Sequence, residues 1–347
     1  MLAKIIAAIL ALFYLPSPSL APLPTPTPRA DIEVIATGLE IPWAIAFLPD
    51  GSALVTERPG RLNLLLADHS LKQVATIAEV KPIGEGGLLG VAVDPNYSTN
   101  HYIHLYYTYQ GNDSQTRNRV VRYEFSNQQI SQPTTLVDAI PGAPNHNGGR
   151  LKFGPDGNLY ITTGDALHSS RAQDIHSLAG KILRLKDNRV EVYSYGHRNP
   201  QGLAWDQQGQ LWEVEHGPTA HDEINLIVQG QNYGWPTITG SQEWAGMHAP
   251  IVQSGNETWA PSGMVILNNQ LFFAGLRGQR LYRATIRGIG IADMGERLIN
   301  QFGRLRDVVV GPDKMLYVIT SNRDGRGQPT LEDDRILRVD PQLLDKD

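Results

Sequence analysis

The chain has 347 residues, of which 41% are hydrophobic and 19% charged, so it has ample apolar material for a core and is not a disordered polymer. Its 35 Asp and Glu residues outnumber its 30 Lys and Arg residues, and the net charge of -5 argues against nucleic acid as a partner. Cysteine is absent, which excludes disulfides, thiolate metal sites, cysteine nucleophiles and a lipid-modified cysteine anchor.

The first thirty residues differ from the rest of the chain. Lys4 precedes an apolar run from Ile5 to Leu15, which is short for a membrane span but has the length of the core of a secretory signal. A Pro-rich stretch from Pro16 to Pro28 follows and favours a stiff spacer. We predict a signal peptide and Pro-rich linker over residues 1–30, and a periplasmic or secreted bacterial protein with no stable membrane span after removal of the leader. An uncleaved anchor is the alternative.

Residues 31–347 contain six copies of a short apolar strand, a polar turn and a second strand rich in Tyr and Val. The turns lie at 49–51, 94–96, 155–157, 206–209, 268–269 and 312–314. Division of the region by six gives roughly 53 residues a unit, which suits a four-stranded propeller blade. We predict one all-β domain, a six-bladed β-propeller of four-stranded antiparallel blades, in which Asp31 to Thr37 pairs with Arg335 to Asp340. A β-sandwich is the main alternative.

Two residues that follow neighbouring predicted strands form a candidate catalytic pair. His146 precedes one hairpin and Asp165 follows it, so both are expected at the same end of the propeller. A carboxylate beside a histidine fixes the imidazole tautomer and stabilises the imidazolium, which is the arrangement of a general base. A surface histidine without a partner is the alternative.

Two further loops carry polar groups suited to a ligand. Arg198 and Asn199 lie in a glycine-flanked loop and can present donors to an anion or a carbonyl. Gly217 and Pro218 can expose consecutive backbone carbonyls, and Asp222 adds a carboxylate, which are oxygen ligands that suit Ca²⁺. The spacing is neither that of an EF-hand loop nor that of a zinc HExxH motif.

A cationic set lies nearer the C-terminus. Arg304 and Arg306 share a face if their segment is extended, and Arg277 follows an earlier strand. Paired arginines clamp carboxylates well, so these residues are candidates for binding an anionic ligand. Solvated charges on the rim of the propeller are the alternative.

Seven segments in order resemble the PQQ-dependent soluble sugar dehydrogenases of the glucose/sorbosone dehydrogenase family, especially the aldose sugar dehydrogenase branch. They are IPWAIAFLPDG at 41–51, GEGGLLGVAVDP at 84–95, HNGGRLKFGPDGNLYITTGD at 146–165, GHRNPQGLAWD at 196–206, HGPTAHDEINLI at 216–227, NYGWP at 232–236 and GRLRDVVVGPD at 303–313. The resemblance covers residues from about 33 to 340.

The resemblance implies a quinoprotein that oxidises aldose sugars at C1 to lactones with PQQ and Ca²⁺, passes electrons to an external acceptor, and is a monomer or homodimer. It implies His146 as the general base, Asp165 as its orienting partner and Arg198 as a contact to the quinone oxygens. The remaining residues implied by the resemblance are Glu85, Asn199, Gln201, His216, Asp222, Arg277, Arg304 and Arg306 around the cofactor and sugar, with the carbonyls of Gly217 and Pro218 on Ca²⁺.

Some positions depart from the pattern of the best-known glucose dehydrogenase. Glu85 and His216 stand where that enzyme has Gln, which leaves the range of sugars open, and Arg277 stands where it has Lys. Trp259 is a candidate for an aromatic residue that covers the cofactor. A Ca²⁺-dependent propeller lactonase or hydrolase and a non-catalytic sugar-binding propeller are the alternative functions.

Overall fold

A computed structural model describes residues 31–345, which form six four-stranded antiparallel sheets arranged as the blades of a propeller. The strands are β1 (Ile32–Ala36), β2 (Pro42–Phe47), β3 (Ala53–Glu57), β4 (Arg61–Leu65), β5 (Leu71–Thr76), β6 (Leu88–Val93), β7 (Tyr102–Gln110), β8 (Thr116–Ser126), β9 (Gln129–Pro141), β10 (Leu151–Phe153), β11 (Leu159–Thr163), β12 (Lys181–Lys186), β13 (Arg189–Tyr195), β14 (Pro200–Trp205), β15 (Leu211–Glu215), β16 (Glu223–Ile227), β17 (Val252–Gln253), β18 (Pro261–Leu267), β19 (Gln270–Gly275), β20 (Arg280–Arg287), β21 (Gly290–Arg297), β22 (Leu305–Val310), β23 (Leu316–Thr320) and β24 (Ile336–Val339). Helix within this range is limited to single turns at Tyr97–Asn100 and Ser170–Gln173 and a 3-10 helix at Pro341–Asp345. The prediction of a six-bladed propeller is therefore confirmed.

The ring closes through the sixth blade. Strands β2 to β21 form five blades in chain order, whereas the sixth contains β22, β23 and β24 with β1 as its outermost strand. Ile32 lies opposite Val339 in the antiparallel β1–β24 ladder. The predicted pairing of the two ends of the domain is confirmed. The predicted leader and linker, residues 1–30, lie outside the described residues, and none of the described helices is long and apolar enough to cross a membrane.

Aspartates initiate the hairpins between the first and second strands of most blades. The Asp50 carboxylate accepts the Ser52 N–H at 3.0 Å, and Asp156 accepts the Asn158 N–H at 3.1 Å. Asp94, Asp206 and Asp313 make the same bond to the residue two positions later. These Asx turns explain why the repeated aspartates predicted the hairpins. In the fifth blade, Asn268 and Asn269 both have positive φ, as a tight two-residue turn requires.

β-Bulges interrupt the start of the innermost strand in five blades. The register shifts between Pro42 and Ala44, Leu88 and Val91, Pro200 and Gly202, Pro261 and Met264, and Leu305 and Asp307. A bulge bends its strand and redirects a side chain. Side chains at three of these bulges contact one another: Arg306 donates to the Gln201 Oε1 at 2.9 Å and to the Ser262 Oγ at 3.3 Å. The bulges thus aim polar residues toward the end where the long loops converge.

Candidate active site

The long loops at one end of the propeller enclose a cavity of about 440 Å³. Eleven of the thirteen residues predicted from the sequence line it: Glu85, His146, Arg198, Gln201, His216, Gly217, Pro218, Asp222, Arg277, Arg304 and Arg306. The other two, Asp165 and Asn199, are buried, and they bond to the lining residues His146 and His216. The structure therefore brings together residues from seven segments that are distant in the sequence.

His146 and Asp165 form a closely bonded pair at the cavity wall. The His146 Nδ1 lies 2.7 Å from the Asp165 Oδ1, and their side chains are 14% and 2% exposed. Since Nδ1 faces the carboxylate, Nε2 is the ring nitrogen free to face the cavity. Burial would raise the pKa of Asp165, but its hydrogen bond with His146 contributes most to holding that pKa below the ordinary value. Asp165 is therefore ionised, as an orienting partner of a base must be.

The backbone around this pair fixes its geometry. His146 has φ 59°, and its carbonyl accepts the Ala166 N–H at 3.1 Å. A Cβ at Gly164 would overlap that carbonyl, so the two loops approach closely only because residue 164 is glycine. The Asp165 Oδ1 also accepts the Leu167 N–H at 2.9 Å, and its Oδ2 accepts the Trp235 Nε1–H at 2.8 Å.

Arg198 and Asn199 form the adjoining wall. Their backbone N–H groups donate to the Glu215 carboxylate at 2.6 and 3.2 Å. The Arg198 guanidinium donates to the His216 carbonyl at 3.3 Å and lies over the Trp235 ring. Burial lowers the pKa of Arg198, although it stays cationic. The Asn199 Oδ1 accepts the Gly148 N–H at 3.1 Å, which links this loop to the one that carries His146.

The arginines occupy different depths of the cavity. Arg304 donates from Nε and Nη2 to the Asp324 Oδ2 at 3.1 and 2.8 Å, and both side chains are buried. Arg306 is 5% exposed, and burial lowers its pKa to about 9. Arg277 is exposed at the rim. Arg304 is neutralised by its ion pair, whereas the partners of Arg306 in the described part of the chain are the neutral oxygens of Gln201 and Ser262.

The segment with the predicted Ca²⁺ ligands is organised by Asp222. Its Oδ1 accepts the Gly217 N–H at 2.9 Å, and its Oδ2 accepts the N–H groups of Trp259 and Ala260 at 2.6 and 2.8 Å. A Cβ at Gly217 would overlap the carbonyls of Ala220 and His221, so the loop requires glycine there. Asp222 therefore shapes the loop in which Gly217 and Pro218 line the cavity.

Glu85 and His216 both line the cavity. The Glu85 Oε2 accepts the His146 N–H at 3.2 Å, and its Oε1 accepts from Arg326 at 2.6 Å. Burial would raise the pKa of Glu85, but the neighbouring His216 and the Arg326 guanidinium lower it to about 2. His216 bonds through Nε2 to the Pro261 carbonyl at 2.8 Å, so that nitrogen carries the proton, and burial lowers the pKa of the ring.

Several residues that shape the site were not predicted from the sequence. Arg326 bridges Glu85 and the Asn145 side chain, the latter at 3.2 Å, and Arg58 donates to the carbonyls of Gly84 and Gly86. Trp235 lies in the NYGWP segment, which carried part of the resemblance but no assigned role. Arg326 lies in an irregular loop without periodicity, so its sequence context offered no comparable indication.

Trp259 is not an aromatic cover for the cavity. Trp259 is 7% exposed, and its ring packs against the rings of Phe273 and Tyr282, with centroid distances of 5.5 and 5.4 Å.

A separate buried trio, His197, Glu213 and Glu215, has potential ligand atoms within 4.8 Å of one another. The His197 ring already bonds to the Ser194 Oγ and the Glu215 Oε1.

The six-bladed propeller with a polar cavity at one end is the architecture of soluble sugar dehydrogenases. The family model described as glucose/sorbosone dehydrogenase matches residues 39–336, so the chain belongs to that family. It is similar to the aldose sugar dehydrogenase of Escherichia coli, with 33% identity over 90% of this chain and 93% of that protein. A PQQ-bound aldose sugar dehydrogenase from Streptomyces coelicolor has 39% identity and a TM-score of 0.83 over 88% of this chain and 97% of its own. The quinoprotein glucose dehydrogenase B of Acinetobacter calcoaceticus is 35% identical over 62% of this chain and 54% of its length.

Proposed function

We propose that this protein is a PQQ- and Ca²⁺-dependent dehydrogenase that oxidises aldose sugars at C1 to lactones. The observation that carries the proposal is that a bonded histidine–aspartate pair and a cluster of arginines face one cavity. A sugar hydroxyl needs a base and an anionic cofactor needs cations, and this cavity offers both. Membership of the family and the PQQ-bound relative support the same assignment.

The donors around the cavity suit PQQ, a planar tricarboxylate. The Arg198 Nε, Arg306 Nε and Asn199 Nδ2 are buried and have no hydrogen-bond partner among the described residues. Such donors are costly unless a ligand or water satisfies them. In this proposal Arg198 and Asn199 contact the quinone oxygens, and Gln201 lines the cofactor. The carboxylates are bound by the predicted cations, Arg277, Arg304 and Arg306.

The backbone carbonyls of Gly217 and Pro218 are proposed to bind Ca²⁺, which prefers oxygen ligands. Asp222 fixes their loop by accepting three backbone N–H groups, and it is itself buried. When bound, PQQ with its Ca²⁺ supplies the acceptor for the C1 hydride, with the metal polarising the accepting carbonyl.

His146 is proposed to take the proton of the anomeric hydroxyl at Nε2. Asp165 stabilises the imidazolium that results, because its ionised carboxylate lies 2.7 Å from Nδ1. Loss of that proton and of a hydride from C1 converts the cyclic sugar to its lactone. Glu85 offers an ionised carboxylate as a hydrogen-bond acceptor, and His216 offers its imidazole ring to the same cavity. Both residues are therefore proposed to contact the sugar hydroxyls.

The alternative functions require different features. A propeller lactonase needs a cage of carboxylates and amides around a central Ca²⁺, yet Asp222 has both carboxylate oxygens bonded to backbone N–H groups. A lactonase also has no use for the arginines that line this cavity. A non-catalytic binding propeller would not need the His146–Asp165 pair.

Export to the periplasm or the medium stays a proposal that rests on the apolar and Pro-rich sequence of residues 1–30. An external electron acceptor is needed because each turnover leaves two electrons on the cofactor. A monomer or homodimer is proposed, and gel filtration with light scattering of the mature chain tests it.

The decisive experiment combines binding and turnover. Purified protein is titrated with PQQ in the presence of Ca²⁺, and dye reduction is followed with a panel of aldoses, with and without EDTA. We expect stoichiometric PQQ binding and aldose-dependent dye reduction that EDTA abolishes and Ca²⁺ restores. Binding of PQQ without turnover of any aldose would indicate a non-catalytic binding propeller. Lactone hydrolysis with Ca²⁺ alone would indicate that the protein is a hydrolase instead.

A further inference from the structure

Trp235 contacts two groups of the site that come from different loops. Its indole Nε1–H donates to the Asp165 Oδ2 at 2.8 Å, and its ring lies 5.4 Å from the Arg198 guanidinium carbon. The residue belongs to the long connection between β16 and β17, whereas Asp165 follows β11 and Arg198 follows β13. One side chain thus joins three loops at the cavity wall.

The two oxygens of Asp165 have different partners. Oδ1 faces the His146 Nδ1 and the Leu167 N–H, at 2.7 and 2.9 Å. Oδ2 has the Trp235 indole as its hydrogen-bond donor among the described residues. The indole therefore restrains how the carboxylate plane is turned relative to the imidazole, and its hydrogen bond stabilises the negative charge that the Oδ1 presents to His146.

The indole is itself fixed by its backbone. The Trp235 N–H donates to the Gly196 carbonyl at 2.9 Å, and its carbonyl accepts from the Gln173 Nε2 at 2.6 Å. Gln173 in turn exchanges hydrogen bonds with the Asn232 side chain at 3.0 and 2.8 Å. These bonds come from two neighbouring connections and do not depend on a bound ligand.

We propose that Trp235 is a positioning residue that fixes the orientation of the Asp165 carboxylate and thereby sets the proton affinity of the base His146. The catalytic importance of this role rests on the proposed function. Besides Asp165, the charged and titratable groups that line the cavity around His146 are Glu85, with Arg326 bonded to it, Arg198 and His216. Since Trp235 donates to Asp165 and stacks on Arg198, it acts on both from one place.

The sign of the effect follows from the removed hydrogen bond. Without the indole N–H the Asp165 carboxylate is less stabilised, so it attracts the proton on the imidazolium more strongly and His146 becomes more basic. Only part of the lost stabilisation of the carboxylate is transmitted to the neighbouring ring. We therefore expect the His146 titration to move upward by about 0.5–1 pH unit.

The test compares Trp235→Phe with Trp244→Phe. The Trp235→Phe change keeps an aromatic ring beside Arg198 but removes the indole N–H. Trp244 is the control because it lies in the same β16–β17 connection and is 64% exposed. The first readout uses protein free of PQQ: the histidine ring signals are titrated by NMR, and the His146 signal is identified by its loss in His146→Gln. We expect the upward shift in Trp235→Phe and an unchanged titration in Trp244→Phe.

The second readout uses the PQQ-reconstituted enzyme. In Trp235→Phe we expect kcat to fall about tenfold and the acid limb of the pH profile to move with the NMR shift, while the sugar KM and the PQQ affinity change less than about twofold. If this variant does not fold, Gln173→Met removes the donor to the Trp235 carbonyl and is expected to give a smaller shift of the same sign.

An unshifted His146 titration in a folded Trp235→Phe protein would overturn the proposal. A large loss of PQQ affinity with an unshifted titration would also overturn it, since the indole would then be part of the cofactor wall. Absence of PQQ-dependent turnover in the wild type would refute the proposed function, yet the titration without cofactor would still decide the role of Trp235.

Discussion

The two ends of the propeller differ in how the polar groups of their loops are satisfied. At one end short hairpins satisfy their own polar groups, as when the Asp50 carboxylate accepts from the Ser52 backbone and hydroxyl. At the other end the long loops bury the Arg198 Nε and the Asn199 Nδ2, which have no hydrogen-bond partner among the described residues. The self-satisfied turns stabilise a scaffold, whereas the buried donors in the walls of the cavity are available to a ligand. Substitutions at the two ends should therefore separate stability from activity.

The largest expected effect is loss of the base at the loop end. His146→Gln removes the proton acceptor, and we expect kcat to fall about 10³-fold while the thermal midpoint of unfolding stays close to that of the wild type. Dye reduction with PQQ and Ca²⁺ and a melting curve measure the two quantities. His69→Gln, in the β4–β5 turn at the opposite end, is the matched control with full activity expected. More than a tenth of wild-type kcat in His146→Gln would contradict the role of base.

A second effect concerns the buried cation at the axis. Arg306→Met removes a donor that forms no ion pair within residues 31–345, and we expect PQQ affinity to fall about 100-fold. Because burial of a charge without a directly bonded counter-ion is unfavourable, the same change is expected to raise the melting temperature of the cofactor-free protein. Fluorescence titration with PQQ measures the first and calorimetry the second. Arg287→Met at the hairpin end is the control, and equal PQQ affinities of the two variants would refute the assignment.

A third effect is a pH dependence of stability that arises in the scaffold. His104 on β7 is 4% exposed, and burial lowers its pKa to about 4. Since the unfolded chain binds this proton near pH 6.5 and the folded chain does not, stability decreases as the pH falls from 6.5 toward 4, by about 2 kcal/mol. Urea unfolding at several pH values should show that decrease.

His104→Leu is expected to flatten that acid-side decrease. His176→Leu, at an exposed residue of the loop end, is expected to leave it in place. The same slope in wild type and His104→Leu would mean that other groups cause it.

The smallest effect is expected in a single hairpin. Asp50→Ala removes the cap of the β2–β3 turn and should cost about 1 kcal/mol of unfolding free energy, with PQQ affinity and kcat unchanged. Asp50→Asn keeps an acceptor oxygen and should recover most of the loss. A fall in kcat for Asp50→Ala would show that the two ends are coupled.

The fold was predictable because its determinants are local. Each hairpin repeats an Asx or Asn-Asn turn between apolar strands, so residues a few positions apart specify it. The pairing of Ile32 with Val339 was also predictable, since alternation at both ends left two strands in need of a partner. The blade count followed from the repeat.

The site was less predictable because its contacts join distant loops. The resemblance supplied Glu85, which no local pattern selected, and it supplied the roles of Gln201 and His216. It gave no role to Trp235, whose partner Asp165 is 70 positions away, or to Arg326, which reaches Glu85 across 241 positions. The bulge that aims Arg306 at Gln201 depends on the packing of neighbouring blades, and alternation alone cannot indicate it.

The shared sixth blade has a consequence for how the chain acquires its structure. Its outermost strand comes from the first described residues and its other three from the last, so the circle cannot be completed until β24 has been synthesised. Until then β1 and the final inner strands expose unpaired edges, which are sites for aggregation. Deletion of residues 336–345 should therefore yield an insoluble chain, although those residues lie outside the cavity lining.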